Sequence, residues 1–214
     1  MVALALLALT LTGCEAFSYL STMGGEKVSA VYPLADRPTL VMVEDPDNAL
    51  GDPTLSRVIA NHVNHHLSEN EAVQSTLVSQ AELVALAERL DEEYRQMPID
   101  RVGQQLGAEQ VVHVLIDRVQ LTSAPGMYRP TAQVEVKVID AAESRRLFPS
   151  ANRVEDRSAP PGHRLQTQMD YIADNGGGAG VEPAMMRALA EQVALDVAQL
   201  FYDHREAEPG SRLR

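Results

Sequence analysis

Three histidines lie within five consecutive positions and are the side chains best spaced for metal chemistry. His62 and His66 are four residues apart, which places both imidazoles on one helix face, where a pair can share a zinc ion. Zinc proteases of this pattern need a glutamate beside the first histidine as general base, and Val63 stands there. One arrangement has His62 and His66 bordering the core and His65 at the surface. The alternatives are a metal site completed by Glu69 and a pH-sensitive contact. We expect the core-bordering arrangement, and therefore no metal and no other cofactor.

The remaining polar motifs favour structural roles. His113 stands among valines and is expected to be a core histidine, with Asp117 on the same strand face but too far away to pair. The acidic run 91–93 is expected to point outward from a helix. The glycine-rich segment 175–180 lacks the lysine and hydroxyl residue of a phosphate-binding loop, and no Gly-x-Ser-x-Gly motif occurs. The sequence therefore predicts no catalytic residues and a protein that is not an enzyme.

The single cysteine, Cys14, follows an apolar run over residues 2–9. That run is shorter than the roughly 20 residues that cross a bilayer, and it is typical of a secretory signal. Leu11-Thr12-Gly13-Cys14 resembles a bacterial lipobox, which implies cleavage between Gly13 and Cys14 and lipidation of the cysteine. Several acyl chains anchor a protein stably, whereas one chain anchors it only marginally. A membrane anchor through Cys14 is therefore predicted.

The predicted anchor divides the chain. Residues 1–13 form the signal peptide, and residues 14–37 form the lipidated cysteine and a Gly- and Pro-containing tether with a short extended piece. Residues 38–205 form the folded domain, and residues 206–214 form a flexible tail. Glu15, rather than aspartate, follows the cysteine, which favours the outer membrane and a domain that faces the periplasm.

Apolar spacing predicts the helices that surround these motifs. A helix opens at Asp52-Pro53 and carries Leu55, Ile59, Val63 and Leu67 as its stripe. Further helices are predicted over residues 79–96, after a capping-box spacing, over 100–106, which ends at a glycine, and over 183–204.

Strands are predicted between the helices. Residues 110–121 are apolar on both faces and should be central in a sheet, whereas residues 131–140 alternate like a half-solvated antiparallel strand. Other strands are predicted at 39–44 and 145–149, and a Pro/Gly-rich insert, 150–182, is predicted as a long loop with a short strand near 163–171. The fold class is therefore α/β (α+β), with a single mixed sheet, helices packed on it and a C-terminal helix.

This pattern resembles the periplasmic α/β domain shared by three groups: curli secretion-channel lipoproteins, the N-terminal domain of the Tol-system propeller protein, and lipoprotein activators of penicillin-binding proteins. The resemblance covers roughly 39–149 and, by position, the C-terminal helix. It depends on Leu106-Gly107-Ala108-Glu109 with Val111–Ile116, and on Val134–Asp140 with Ala141-Ala142-Glu143. It implies a structural domain with no catalytic residues to carry over. Val114-Leu115 stand where a glycine is usual in the groups, and no long amphipathic hairpin for pore formation is evident.

Composition excludes several partners. Asp and Glu number 30 against 18 Lys and Arg, which gives a net charge of −12, and the chain has no Trp and 3 Phe. Nucleic-acid binding, which needs cations against phosphate and aromatic rings for bases, is not expected. We expect a lipid-anchored cell-envelope protein that binds or assembles with an envelope protein without catalysis. The alternatives are a structural subunit of an oligomeric envelope or secretion complex, and a metal-dependent hydrolase using His62, His65 and His66.

Overall fold

The computed structural model describes residues 26–124, 127–150, 162–172 and 181–206. They form the predicted mixed sheet with helices packed against it. The strands are β1 (Lys27–Val28), β2 (Thr39–Glu44), β3 (Gln110–Ala124), β4 (Met127–Asp140), β5 (Arg145–Phe148), β6 (His163–Gln168) and β7 (His204–Arg205). The main sheet has the order β2-β3-β4-β5, and β6 also pairs with β4.

Strand β3 lies in the middle of the sheet, as its two apolar faces predict. It runs parallel to β2 and antiparallel to β4. The β3–β4 hairpin is longer than the sequence pattern indicated, because β4 begins at Met127 rather than at Thr131 and pairs with β3 as far as Ala124. The register shifts between Ile116 and Arg118, so Asp117 is the extra residue of a β-bulge. Strand β6 pairs antiparallel with residues 131–136 of β4, so the short strand predicted inside the insert is present.

Two long helices cover one face of the sheet. They are α1 (Thr54–Glu69) and α5 (Val181–Gln199), the last being the predicted C-terminal helix. The predicted stripe of α1 is buried throughout, and it packs with alternate valines of β3 and β4 in the larger core. Burying one such aliphatic side chain contributes about 1.5–3 kcal/mol, so this face holds the domain together.

Three shorter helices cover part of the opposite face. They are α2 (Gln80–Leu90), α3 (Glu92–Arg95) and α4 (Ile99–Gln105). A smaller core forms beneath them around Leu40, Met42, Leu86, Val102 and Val111. These helices lie over the start of β2 and β3, which leaves the rest of this face uncovered by any described helix.

Three predicted helix boundaries differ from the structure. The helix predicted over 79–96 is broken at Asp91, which has a positive φ of 45°, into α2 and α3. The C-terminal helix ends at Gln199 rather than near His204, because buried Phe201 and Tyr202 turn into the core. Helix α1 begins at Thr54, so Asp52 lies two residues before it rather than next to its first residue. The Asp52 carboxylate accepts the backbone N–H of Thr54 at 2.8 Å.

Residues 26–37, the described part of the predicted tether, lie along the domain. Strand β1 pairs antiparallel with β7, and the backbone N–H groups of Val31 and Tyr32 both donate to the Leu200 carbonyl at 2.8 and 2.9 Å. The Tyr32 ring stacks on Phe148 with centroids 5.1 Å apart. The chain before Glu26, including Gly13 and Cys14, lies outside the described residues, and so does the predicted tail from residue 207.

None of the helices within the described ranges is long and apolar enough to span a membrane.

Candidate functional site

The uncovered part of the second sheet face displays a row of charged side chains. Because cross-strand partners point to the same side of a sheet, the register places Glu44, Leu115, Glu135 and Arg164 side by side across four strands. We call this region the open face; its members are Glu44, Leu115, Asp117, Gln133, Glu135, Lys137, Arg164 and Gln166. Most of them are at least partly exposed, whereas Glu135 is 9% exposed.

A carboxylate–imidazole pair lies where the open face meets the smaller core. The Nε2 atom of His113 is 2.8 Å from Glu44 Oε2, and His113 is 3% exposed. The hydrogen bond from His113 lowers the pKa of Glu44, burial opposes this shift, and the charge of Lys137 contributes in the same direction as the hydrogen bond. Burial raises the pKa of Tyr94, and the negative charge of Glu44 raises it further.

The core position predicted for His113 is confirmed, but its partner was missed. Glu44 precedes His113 by 69 positions, and only the parallel pairing of β2 with β3 brings them together. Asp117, which the strand pattern placed on the same face, lies on the bulge further along β3. Glu44 could have been noticed in the sequence because it is the one charged residue of the strand 39–44 and stands at the end of that strand.

This pair has two members of a hydrolytic triad but does not engage a nucleophile in the described part of the chain. A triad needs the second imidazole nitrogen bonded to a Ser, Thr or Cys side chain. In His113, Nε2 is engaged by Glu44, and the buried Nδ1 has no hydrogen-bond partner among the described residues. The arrangement therefore fixes a charge at the border of the open face.

A surface depression lies on the open face. It is lined by Asp117, Gln133, Val134, Glu135, Arg164, Leu165 and Gln166. The Glu135 side chain is 11% exposed and lies 3.5 Å from the guanidinium of Arg164, which is 79% exposed. Gly162 allows the chain to pass close to this carboxylate, because a Cβ atom there would lie 3.0 Å from the Glu135 Cβ atom. The depression can therefore offer carboxylate, amide and guanidinium groups to one ligand surface.

The three histidines of α1 lie together without a complete metal site. The ring centroids of His62 and His66 are 6.4 Å apart, and those of His65 and His66 are 5.7 Å apart. Glu69, the candidate third ligand, lies 3.4 Å from exposed His65. Burial lowers the pKa of His66, the charges of His65 and His62 lower it further, and the charge of Glu69 opposes this shift. No group of three or more His, Cys, Asp or Glu side chains within the described ranges is arranged to hold a metal ion.

Comparison with known proteins gives structural likeness at low similarity. No protein-family model matches the chain, and no curated protein sequence matches it. Among solved structures, the lipoprotein GNA1162 from Neisseria meningitidis matches with a TM-score of 0.44 and 11% identity, over 75% of this chain and 99% of that one. A PelC dodecamer from Paraburkholderia phytofirmans matches with a TM-score of 0.39 and 11% identity, over 83% and 96% of the two chains.

TolB from Acinetobacter baumannii matches with a TM-score of 0.25 and 13% identity, over 78% of this chain and 30% of that one. Similarities of this size assign neither a family nor a function to the chain. The resemblance to the three envelope groups therefore stays a prediction.

Proposed function

We propose that this protein is a lipid-anchored module of the bacterial cell envelope that binds another protein through the open face and carries out no catalysis. The observation that carries the proposal is the exposure of this charged face on a sheet whose opposite face packs against α1 and α5. The part of this sheet face that α2, α3 and α4 leave uncovered among the described residues, opposite a well-filled core, can receive a partner.

The anchor part of the proposal depends on Leu11-Thr12-Gly13-Cys14 and the apolar run before it. Acylation of Cys14 would hold the domain at a membrane, and Glu15 favours the outer membrane with the domain in the periplasm. The net charge of −12 repels anionic surfaces, which suits a domain that extends away from lipid toward a protein.

The open face offers partners polar recognition rather than an apolar anchor. Gln133 and Gln166 are cross-strand partners, and both are exposed at the depression beside Asp117. Charged and amide groups of this kind give specificity and speed association, while apolar contacts at the centre supply most of the affinity. Half-buried Leu115, in the middle of the row, is the apolar residue available for that role.

Site-specific photocrosslinking in cells tests the proposal. A photoreactive amino acid at Gln166 is expected to give a discrete adduct with an envelope protein, whereas the same group at exposed Gln74, away from the sheet face, is not. Equal labelling from both positions, or none from Gln166 across growth conditions, would contradict binding by this face. An adduct between two copies of the chain would instead favour the structural-subunit alternative.

A further inference from the structure

Residues 26–32, which we call the strap, join the predicted tether to the domain, and their outer contacts are few and exposed. Strand β1 contributes two residue pairs with β7, and the Glu26 carbonyl accepts the N–H of Glu206 at 3.0 Å. Lys27 Nζ lies 2.8 Å from Asp203 Oδ2, with side chains 70% and 49% exposed. A strand pair this short is marginal, and an exposed ion pair adds little to stability.

The middle of the strap makes more contacts with the domain than its outer end does. Two N–H groups, those of Val31 and Tyr32, share the one carbonyl of Leu200, and Ala30 N–H donates to Asp203 at 3.0 Å. Tyr32 is half-buried and stacked on an aromatic ring, whereas Val31 is 51% exposed. Opening of this part requires the loss of the ring contact, of the packing of Tyr32 against the larger core and of three hydrogen bonds.

Beyond the strap, the chain is fixed by a buried network. The Arg37 guanidinium donates to Gln110 Oε1 and to Asp140 Oδ2, both at 3.2 Å. The Gln110 side-chain amide in turn donates to the Ala35 carbonyl and to the Thr39 hydroxyl. Gln110 and Thr39 are fully buried, so opening that proceeds inward from Glu26 meets a much larger cost at Arg37.

We infer that the strap is a releasable segment that sets how far the domain reaches from its membrane. The effect on reach rests on the proposed anchor at Cys14, whereas release itself does not. Glu26 lies 12 positions after Cys14, and Arg37, where opening stops, lies 23 positions after it. At 3.3–3.6 Å per extended residue, these lengths span at most roughly 40 Å and roughly 80 Å. Binding of a distant partner favours the released state, because only that state reaches it.

Force measurements on single molecules test release directly. The mature chain with Cys14→Ser would be pulled between a handle at its N-terminal end and one at Arg118. We expect a reversible step at lower force than global unfolding, of at most roughly 40 Å, the extended length of the eleven positions from Glu26 to the fixed Arg37. A disulfide from Val28→Cys with His204→Cys, positions paired in β1 and β7, should remove that step.

A second disulfide serves as the matched control. Thr131→Cys with Gln168→Cys joins the antiparallel pair at the end of β6 and leaves the strap untouched, so the step should remain. Absence of a step in the unlocked chain, or its persistence in the strap-locked chain, would overturn the inference. Because this measurement uses no lipid, failure of the proposed anchor would leave its result unchanged.

Discussion

Arg37 and Asp140 form an ion pair of 3.2 Å between residues 103 positions apart, and both side chains are largely shielded from water, with 23% and 10% exposure. The pair ties the chain entering the domain to the end of β4. Asp140 also accepts the N–H groups of Ala142 and Glu143, which form the turn into β5. One carboxylate therefore holds the N-terminal segment, the central hairpin and the next strand in register.

This carboxylate should make stability depend on acid. The Glu143 N–H lowers the pKa of Asp140, burial opposes the shift, and Arg37 and the Ala142 N–H lower the pKa further. A carboxyl whose pKa is lower in the folded state stabilises the fold above its unfolded pKa of about 3.9. That stability is lost as pH falls through the folded value.

Urea unfolding from pH 7 to pH 3 checks this expectation. Asp140→Asn should lower the free energy of unfolding at pH 7 by about 1–3 kcal/mol and flatten its fall with acid relative to the parent protein. Glu88→Gln, on the surface of α2, is the control and should leave both unchanged. An Asp140→Asn variant with the parent's acid dependence would contradict the role given to this residue.

The Glu44–His113 pair should show coupling in a double-mutant cycle. Glu44→Ala leaves a buried imidazole without its hydrogen-bond partner, which costs about 1–3 kcal/mol. In a His113→Leu background the same change should cost much less, because no polar atom is left unpaired. Thermal and urea denaturation of the four proteins would measure the coupling. Additive effects would show that the 2.8 Å contact does not stabilise the fold.

Close approach of α4 to β3 should make Gly103 intolerant of a side chain. A Cβ atom at Gly103 would lie 2.7 Å from Val111 Cγ2 and 3.2 Å from the Ala141 Cβ atom. Alanine favours a helix by about 1 kcal/mol over glycine, but overpacking of a core costs about 1–3 kcal/mol, so a net loss is expected. Val111→Ala should partly rescue Gly103→Ala in urea denaturation. Additive destabilisation by the two changes would contradict the steric explanation.

The histidines of α1 should not support metal-dependent stability. Glu69 forms an ion contact with His65, and no group of three His, Cys, Asp or Glu side chains in the described part of the chain is arranged to hold a zinc ion. Addition of stoichiometric Zn²⁺ is expected to change the melting temperature by less than about a degree, both in the parent protein and in His62→Gln. Saturable stabilisation that His62→Gln abolishes would revive the metal-dependent alternative.

Periodicity in the sequence was sufficient to predict the layers of this fold. The α1 stripe, the two-faced apolar pattern of β3 and the alternation of β4 each reflect local burial, and all three elements form as expected. The predicted ends of helices were wrong where a non-local contact decides them. Helix α5 ends at Gln199 because Phe201 and Tyr202 are buried in the core.

The candidate site was less predictable, since its members come from separate strands. Nothing near His113 in sequence indicates Glu44, and nothing near Glu135 indicates Arg164; pairing of β2 with β3 and of β4 with β6 brings each couple together. The docking of 26–32 was missed for a similar reason. Its glycine- and proline-containing surroundings are typical of a tether, while its partners lie at the far end of the chain.

Mass spectrometry of the N-terminal peptide, taken from membranes of cells that express the full chain, tests the central claim most directly. The proposal predicts a peptide that begins at Cys14 and carries acyl chains on its sulfur and amino groups, and Cys14→Ser should abolish it. A peptide that retains Gly13 before an unmodified Cys14 would contradict the lipid anchor and, with it, the proposed place of this domain in the envelope.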